Sequence, residues 1–486
     1  MEERAIRGVP WTLLSYASTK GLAVLTMLVL ARLLDPVDFG LMALAQIAVS
    51  FLNWFGGLSF SNALVVRQDL DRRGQGTILS VLLITTLLTS AFAVAIAPLA
   101  AKLFDEPELT SVLIAFSSVV FIGGVASFFE ALLQRELEFR KRFVALMAQA
   151  VVALVVSVGL AVAGAGVWSL VVGQLVSRLV FAVMLLAFAP YRLRPTWQRR
   201  VVRSVISTGQ GFLWQGVLVF VRQNADTVAV GRSIGTTGLG FYSMGARLGD
   251  LTYWTIADPV ARVTFPAFAR SRARGEDIRP AFVSVLRLVG LAGCFAGLVL
   301  SGAAEPITRV MFGDEWLPMV GPLTILGLWA ALRPVEATLS WLLNSVERAS
   351  AVGWVSGAIL VPLLPGFVLA AHIGTTTAVA VVVLADTLLS VAVFSVLVCH
   401  YVKLRPADLW HALRPVLLAG VPTWAALYFV GDGIGPERPL LGLALSLLAG
   451  TAVYVGVLRI VEPGLLSRVR AQVLRTLGRA PAPTPS

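Results

Sequence analysis

A chain of 486 residues in which 57% of side chains are hydrophobic and only 14% charged is excluded from the water-soluble folds, because soluble domains carry roughly a quarter charged residues. The net charge of +12 invites a nucleic-acid reading, but most of the basic residues stand in short connections between apolar runs, a membrane pattern that argues against nucleic acid. Cys294 and Cys399 both fall inside apolar runs, so no disulfide framework is expected.

In chain order the apolar runs predict about fourteen membrane-crossing helices, each near the ~20 residues that a hydrocarbon core demands. The first, 10–33, follows Arg4 and Arg7. Its length and its polar residues (Ser15, Ser18, Thr19, Lys20) suit a retained helix better than a cleaved signal peptide. Runs follow at 38–64, 77–103, 109–133, 143–163 and 166–189, then at 204–231, 238–265, 281–302, 320–345, 351–371 and 375–400, and finally at 413–430 and 439–460. Strict period-2 alternation is absent, and backbone amides in hydrocarbon must be bonded within their own segment, so an all-α integral membrane protein is expected rather than a barrel. After Glu462-Pro463-Gly464, apolar Leu465, Leu466, Val469, Val473, Leu474 and Leu477 alternate with Arg468, Arg470, Arg475 and Arg479. That stretch predicts a basic amphipathic helix on the anionic inner leaflet, ending in a disordered Pro-rich tail.

The spans sort the basic residues by side. The even-numbered connections and the two termini hold 26 of the 39, against five on the other side: Arg32, Lys102, Arg232, Arg309 and Arg438. Positive charge stays cytoplasmic, so both termini are expected in the cytoplasm, with the chain crossing the membrane many times. No connection is long enough to fold by itself; the longest are near 190–203, 266–280 and 303–319.

An offset of 200 residues links two helical hairpins. Ala31-Arg32-Leu33-Leu34-Asp35-Pro36-Val37-Asp38-Phe39-Gly40 and Gly231-Arg232-Ser233-Ile234-Gly235-Thr236-Thr237-Gly238-Leu239-Gly240 each join one span to the next, with Arg32 matched to Arg232, Gly40 to Gly240 and Trp54 to Trp254. A duplicated chain follows: six-helix lobes at 1–203 and 204–402, an added helix pair at 403–462 and a cytoplasmic tail at 463–486. Parallel repeats of this kind bind cargo between their halves and rock about it.

Charges at bilayer depth cost about 2.5–3.5 kcal/mol each on insertion scales, so they call for partners, a cavity or water. In the eighth span Arg247, Asp250, Trp254, Asp258 and Arg262 recur at helical steps and predict one polar stripe. Arg222 and Asp226 lie four apart in the seventh span; Arg333, Glu336, Ser340 and Asn344 mark the tenth. Gln46, Ser50, Asn53 and Gly57 share a face of the second. Glu130, Gln174 with Arg178, Arg287 and Asp386 complete the set. Lys20 and Arg178 have no carboxylate three or four residues along their own helix, which makes them the favoured cations for an anion site. With Arg222, Arg247 and Arg333 they are expected to line a cationic cleft suited to phosphate or pyrophosphate. Each Arg–carboxylate pair also has a purely structural reading, and Glu130, Asp226, Asp250, Asp258, Glu336 and Asp386 are the groups open to a coupling role. Arg262 and Arg287, near span ends, read as reaching to the interface. There is no Walker A sequence, and His372, His400 and His411 lack metal-ligand spacing, so neither an ATP engine, a metal nor a cofactor is expected.

The segment Leu30-Ala31-Arg32-Leu33-Leu34-Asp35-Pro36-Val37-Asp38-Phe39-Gly40-Leu41 resembles the ARLL-x-P-x-DFG turn of bacterial Wzx-type polysaccharide flippases, in the multidrug/oligosaccharidyl-lipid/polysaccharide exporter superfamily. Gly57-Leu58-Ser59 to Val65-Val66-Arg67, Gly166-Val167-Trp168-Ser169-Leu170-Val171 and Phe265-Pro266-Ala267-Phe268-Ala269-Arg270 resemble further segments of it. The likeness is nearest to the exopolysaccharide and teichuronic-acid branch and covers about residues 1–410. It implies two six-helix bundles in a V, usually with two added helices. It also implies translocation of an undecaprenyl-pyrophosphate-linked oligosaccharide, a polyprenyl-pyrophosphate cargo, with membrane lipids, a polymerase and a chain-length regulator as partners. The turn residues Arg32, Asp35, Pro36, Asp38 and Gly40 read as architecture first and gate second. A cation-coupled multidrug exporter would want an acidic, aromatic pocket, which the arginine-bearing spans oppose. A peptidoglycan lipid II flippase shares the chemistry and differs only in motif. A membrane-embedded polymerase or ligase would need a large outward loop that this chain lacks.

Overall fold

The computed structural model describes residues 2–56, Leu64, 70–191, 194–346, 348–434 and 438–464. Among them every regular element is a helix. The chain divides into two compact units, Met1–Ser243 and Met244–Ser486, with the division inside one helix.

The first unit holds α1 (Glu2–Ala31), α2 (Pro36–Gly56), α3 (Arg72–Phe104), α4 (Glu108–Arg135), α5 (Phe139–Val162), α6 (Val167–Phe188), α7 (Arg199–Ser233) and the start of α8 (Thr236–Thr252). Local chemistry sets several ends. Asp71 caps α3 by accepting the Gly74 N–H at 2.7 Å, and Asp105 closes the same helix in the left-handed region. The core joins Ile78, Leu79 and Leu82 of α3 to Phe128, Phe129, Leu132 and Leu133 of α4, with Phe181 and Leu185 of α6. Small residues let the backbones approach, as lipid-embedded helices require: a Cβ at Gly124 would overlap Thr86, and one at Gly173 would overlap the Ser157 hydroxyl.

The second unit continues α8 through a π turn (Tyr253–Ala257) into α9 (Asp258–Ala273). It then adds α10 (Arg279–Gly302), the short α11 (Ala304–Met311), a 3₁₀ turn (Asp314–Met319), α12 (Val320–Ser345), α13 (Ala349–Ile373), α14 (Thr376–Val402), α15 (Pro406–Ile434) and α16 (Pro439–Val461). Helices α10 and α12 pack closely, with Gly297 against Ala331 and Gly327 against Ser301. Gly297→Leu is therefore expected to prevent accumulation of folded protein, whereas Gly433→Leu, with open space around its Cβ, is expected to be tolerated. Size-exclusion profiles of the two detergent-solubilised variants check this.

Among the described residues helices occupy the predicted spans, and ten stretches are long and apolar enough to cross a membrane. The remaining four spans correspond to α1, α2, α7 and α8–α9; in α1 and α2 the apolar stretches are the shorter Ser18–Ala31 and Pro36–Leu52. The second span's end and the basic amphipathic segment beyond residue 464 lie outside the described residues. Large apolar side chains such as Leu99, Val162 and Phe429 point outwards, as a hydrocarbon solvent allows.

A π turn interrupts the eighth span. The Asp258 N–H donates to the Tyr253 carbonyl, five residues back. Pro259 has no N–H and its ring crowds the carbonyl four residues before it, so the ladder slips by one residue there. The Thr255 hydroxyl takes up the Leu251 carbonyl at 2.6 Å. The extra residue turns the positions after it back by about 100°, which leaves Asp258 and Arg262 on the side of the helix that carries Arg247 and Asp250. Arg247 and Asp250 precede the π turn, Trp254 lies within it, and Asp258 and Arg262 follow.

Candidate functional site

The motif turn explains itself in backbone terms. Pro36 opens α2 with φ already fixed and no N–H to orphan. Asp38, in the first turn, is hydrogen-bonded by the backbone of Asp35, the reciprocal half of a capping box, and also by the backbone of Val167 at the start of α6. Gly166 precedes Val167 with φ 52°, and a Cβ there would press on the Asp38 carboxylate at 3.3 Å. Arg32 and Asp35 are exposed. A Cβ on Gly40 would overlap the Thr236 backbone, and a Cβ on Gly240 would overlap that of Pro36. Thr236 and Gly240 are Pro36 and Gly40 shifted by 200, and α2 and α8 begin at those matched positions. The two hairpins thus meet reciprocally, in keeping with a duplicated origin. The Thr236 hydroxyl further donates to Glu106 at 2.6 Å.

Three of the charges predicted at membrane depth in the first unit have defined surroundings. Glu130 on α4 pairs with Arg142 of α5, whose Nε donates at 2.8 Å. Arg178 on α6 is half-buried and makes no hydrogen bond or ion pair among the described residues; its electrostatic neighbour is Glu130. Asp226 on α7 accepts the hydroxyl of fully buried Tyr242 at 2.6 Å and that of Thr227 at 3.2 Å. Lys20 on α1 and Arg222 on α7 are half-buried.

In the second unit Arg333 of α12 lies with Nη2 3.2 Å from Asp250 Oδ1 of α8. The distance is that of an ion pair, but the N–H is not aimed at the oxygen, and Oδ1 is buried without a hydrogen bond. The guanidinium also rests against two rings, Trp329 at 4.5 Å and Tyr253 at 5.2 Å. Tyr253 in turn contacts Trp254 and Trp341. Arg247 is half-buried, without a hydrogen bond among the described residues, and senses Asp250. Thr252 fixes this corner by donating to the Ala330 carbonyl at 2.9 Å. Asp258 pairs with Arg262 at 2.8 Å, while Glu336 and Asp386 are half-buried on α12 and α14.

Arg287 departs from its predicted role. It does not simply reach for the interface. Its Nη1 pairs with Glu462, just past α16, at 2.9 Å, and its Nη2 lies 3.5 Å from the His411 carbonyl. The sequence reading also passed over Arg142, Tyr242, Tyr253 and Trp329, the neighbours that define Glu130, Asp226 and Arg333. Among the described residues no three His, Cys, Asp or Glu side chains gather as a metal ion would need.

The arrangement places ionic side chains of both signs on helices that occupy the predicted spans, among them Arg178 and Arg247, which suits passage of a polar, anionic group. Known proteins agree with that class. The family model described as "Polysaccharide biosynthesis protein" matches residues 29–321. The succinoglycan biosynthesis transport protein ExoT of Rhizobium meliloti is 27% identical over 95% of this chain and 94% of its own length. The teichuronic acid biosynthesis protein TuaB of Bacillus subtilis is 22% identical over 93% and 95%. The lipopolysaccharide biosynthesis protein WzxC of Escherichia coli is 23% identical over 72% and 71%. Among solved structures, the lipid II flippase MurJ in an inward closed conformation matches with a TM-score of 0.78 at 12% identity, over 95% of this chain and 100% of that one. An inward-facing multidrug resistance transporter of the MOP superfamily matches with a TM-score of 0.65 at 14% identity, over 80% and 94%. The fold is that of the MOP superfamily.

Proposed function

Because the chain belongs to the polysaccharide biosynthesis protein family, we propose that it is a flippase for polyprenyl-pyrophosphate-linked oligosaccharides in polysaccharide biosynthesis. The observation that carries the reading is the end-to-end likeness to ExoT, named as a transport protein of succinoglycan biosynthesis. The chemistry is consistent. Dragging a pyrophosphate and sugar hydroxyls through hydrocarbon is prohibitive, while the polyprenyl tail can remain in lipid. Half-buried guanidiniums without a hydrogen bond or ion pair among the described residues, Arg178 and Arg247, lower that barrier by standing in for water. Lys20, Arg222 and Arg333 add to the same field. Glu130, Asp226, Asp250, Asp258, Glu336 and Asp386 keep it near neutral when empty, and one of them carries any coupling ion.

The chain lies in the cytoplasmic membrane with both termini inside, and six-helix lobes at 1–203 and 204–402 alternate access around the cargo, followed by the helix pair 403–462 and the tail 463–486. A polymerase and a chain-length regulator receive the product. A peptidoglycan precursor is the second reading, favoured by the fold shared with MurJ.

The test is complementation. A strain lacking this gene is expected to lose surface polymer and accumulate lipid-linked repeat units on the inner face. Arg178→Ala and Lys20→Ala are expected to cut polymer export about tenfold at equal protein levels, the worth of one charge-assisted hydrogen bond to phosphate. Undiminished polymer in both variants and in their double would remove these cations from the path. Rescue of a lipid II flippase mutant, with no effect on polymer, would favour the second reading.

A further inference from the structure

A cavity of about 410 Å³ opens in the second unit where α9 runs out, α10 begins, α12 gives way to α13 and α14 ends. Its cations are Arg272, Arg279 and Arg348, and Tyr401 stands beside them. These cations are not equivalent. Arg279 is held in a fork by Asp277, through Nε at 2.8 Å and Nη2 at 2.9 Å. The same hydrogen bonds keep the Asp277 carboxyl below the usual carboxylate range, so the pair stays internally neutral. Glu276, also on the wall, has Arg274 at 3.8 Å. Two positive charges remain. Among the described residues Arg272 makes no hydrogen bond or ion pair, and Arg348 is engaged only by the Tyr401 ring, 4.7 Å from its carbon. Ile278, Val346 and Val402 give the cavity an apolar side.

Its depth is marked by aromatic residues. Trp354, near the start of α13, is 80% exposed, and Tyr401 and Trp410, near the end of α14 and the start of α15, are exposed as well. Exposed Trp and Tyr gather at the headgroup level of a bilayer, and the connections here are among those that carry the chain's basic residues. A phosphate there would find two unneutralised guanidiniums, one stacked and pre-oriented, with the tyrosine hydroxyl close by and apolar carbon beneath for an acyl chain.

We propose that this cavity is a binding site for the phosphate headgroup of an anionic phospholipid, separate from the cargo path. The site would tie the second unit to the anionic leaflet at one fixed point rather than through a diffuse basic surface.

Native mass spectrometry of the full-length protein tests it, in phosphatidylcholine micelles doped with phosphatidylglycerol. Wild type is expected to retain one phosphatidylglycerol more than the Arg272→Gln/Arg348→Gln variant. Affinity should fall about fivefold for each single variant and about 25-fold for the double. Arg405→Gln, an exposed charge outside the cavity, is expected to change nothing. Equal retention in wild type and double variant would overturn the proposal, as would equal retention of phosphatidylcholine in place of phosphatidylglycerol. Inorganic phosphate in pure phosphatidylcholine micelles separates the sources: if phosphate alone raises the melting temperature of wild type, and phosphatidylglycerol does not, the lipid assignment fails. The single variants keep the test decisive should the double variant fold poorly.

Discussion

Replacing Gly40 by leucine is expected to abolish folded protein, or to leave a population that no longer exports polymer. A side chain there has to displace the Thr236 backbone, and the matched change at Gly240 has to displace that of Pro36. The obstruction in each case is main chain at a helix start, which cannot rotate away as a flexible side chain can. Overpacking costs typically 1–3 kcal/mol where side chains can adjust; with two backbones in the way we expect at least about 3 kcal/mol. Gly123→Leu, on α4 with open space around its Cβ, is the control and should behave as wild type. Melting temperatures of the three purified proteins decide the matter; Gly40→Leu melting with Gly123→Leu would show that the contact contributes nothing. Gly40→Ala adds a second reading. If it folds with normal stability yet fails in export, the crossing takes part in the transport cycle as well as in the architecture.

The second large effect concerns Arg333 and Asp250. Arg333→Ala strands the Asp250 carboxylate, one of whose oxygens is already buried without a hydrogen bond, and empties a place between Trp329 and Tyr253. Asp250→Ala removes the ion-pair partner of Arg333 and the electrostatic neighbour of Arg247. Each single change is expected to cost about 1–3 kcal/mol, less than a fully buried pair because both side chains are part-exposed. The double substitution removes the stranded charges together and should recover most of the lost protein level. Its export separates the two roles. Recovered protein with recovered export makes the pair structural; recovered protein with export still absent makes Arg333 a contact for the cargo. A double variant no better in yield than the worse single would mean that the two residues are not energetically coupled.

Much of the fold was legible because membrane helices announce themselves through composition. The apolar runs coincide with helices, and the offset between the hairpins, weak as an identity, reappears as the Gly40–Thr236 and Gly240–Pro36 crossings. The site was legible only along single helices. Helical periodicity finds Arg247 with Asp250 and Asp258 with Arg262, but it does not show the π turn that stands before Pro259 between the two pairs. Contacts across helices were out of reach. Nothing in the chain order says that Arg333 meets Asp250, that Tyr242 holds Asp226, or that Arg142, in the first turn of α5, neutralises Glu130. These pairings depend on how helices pack, and in lipid packing is set by small residues and polar contacts rather than by a hydrophobic gradient.

The last two helices, to which no role attaches from resemblance, are bolted to α10 at several heights. Tyr454 donates to the Leu291 carbonyl at 2.7 Å, Trp424 donates to Ser301 at 2.9 Å, and Arg287 reaches Glu462. Leu298 and Cys294 share a core with Val416, Leu427 and Leu458. Truncating the gene after Val402 would therefore do more than shorten the protein. It would turn a guanidinium, a serine hydroxyl and a main-chain carbonyl on α10 towards acyl chains at one stroke, so any shorter ancestor must have carried a different face on that helix.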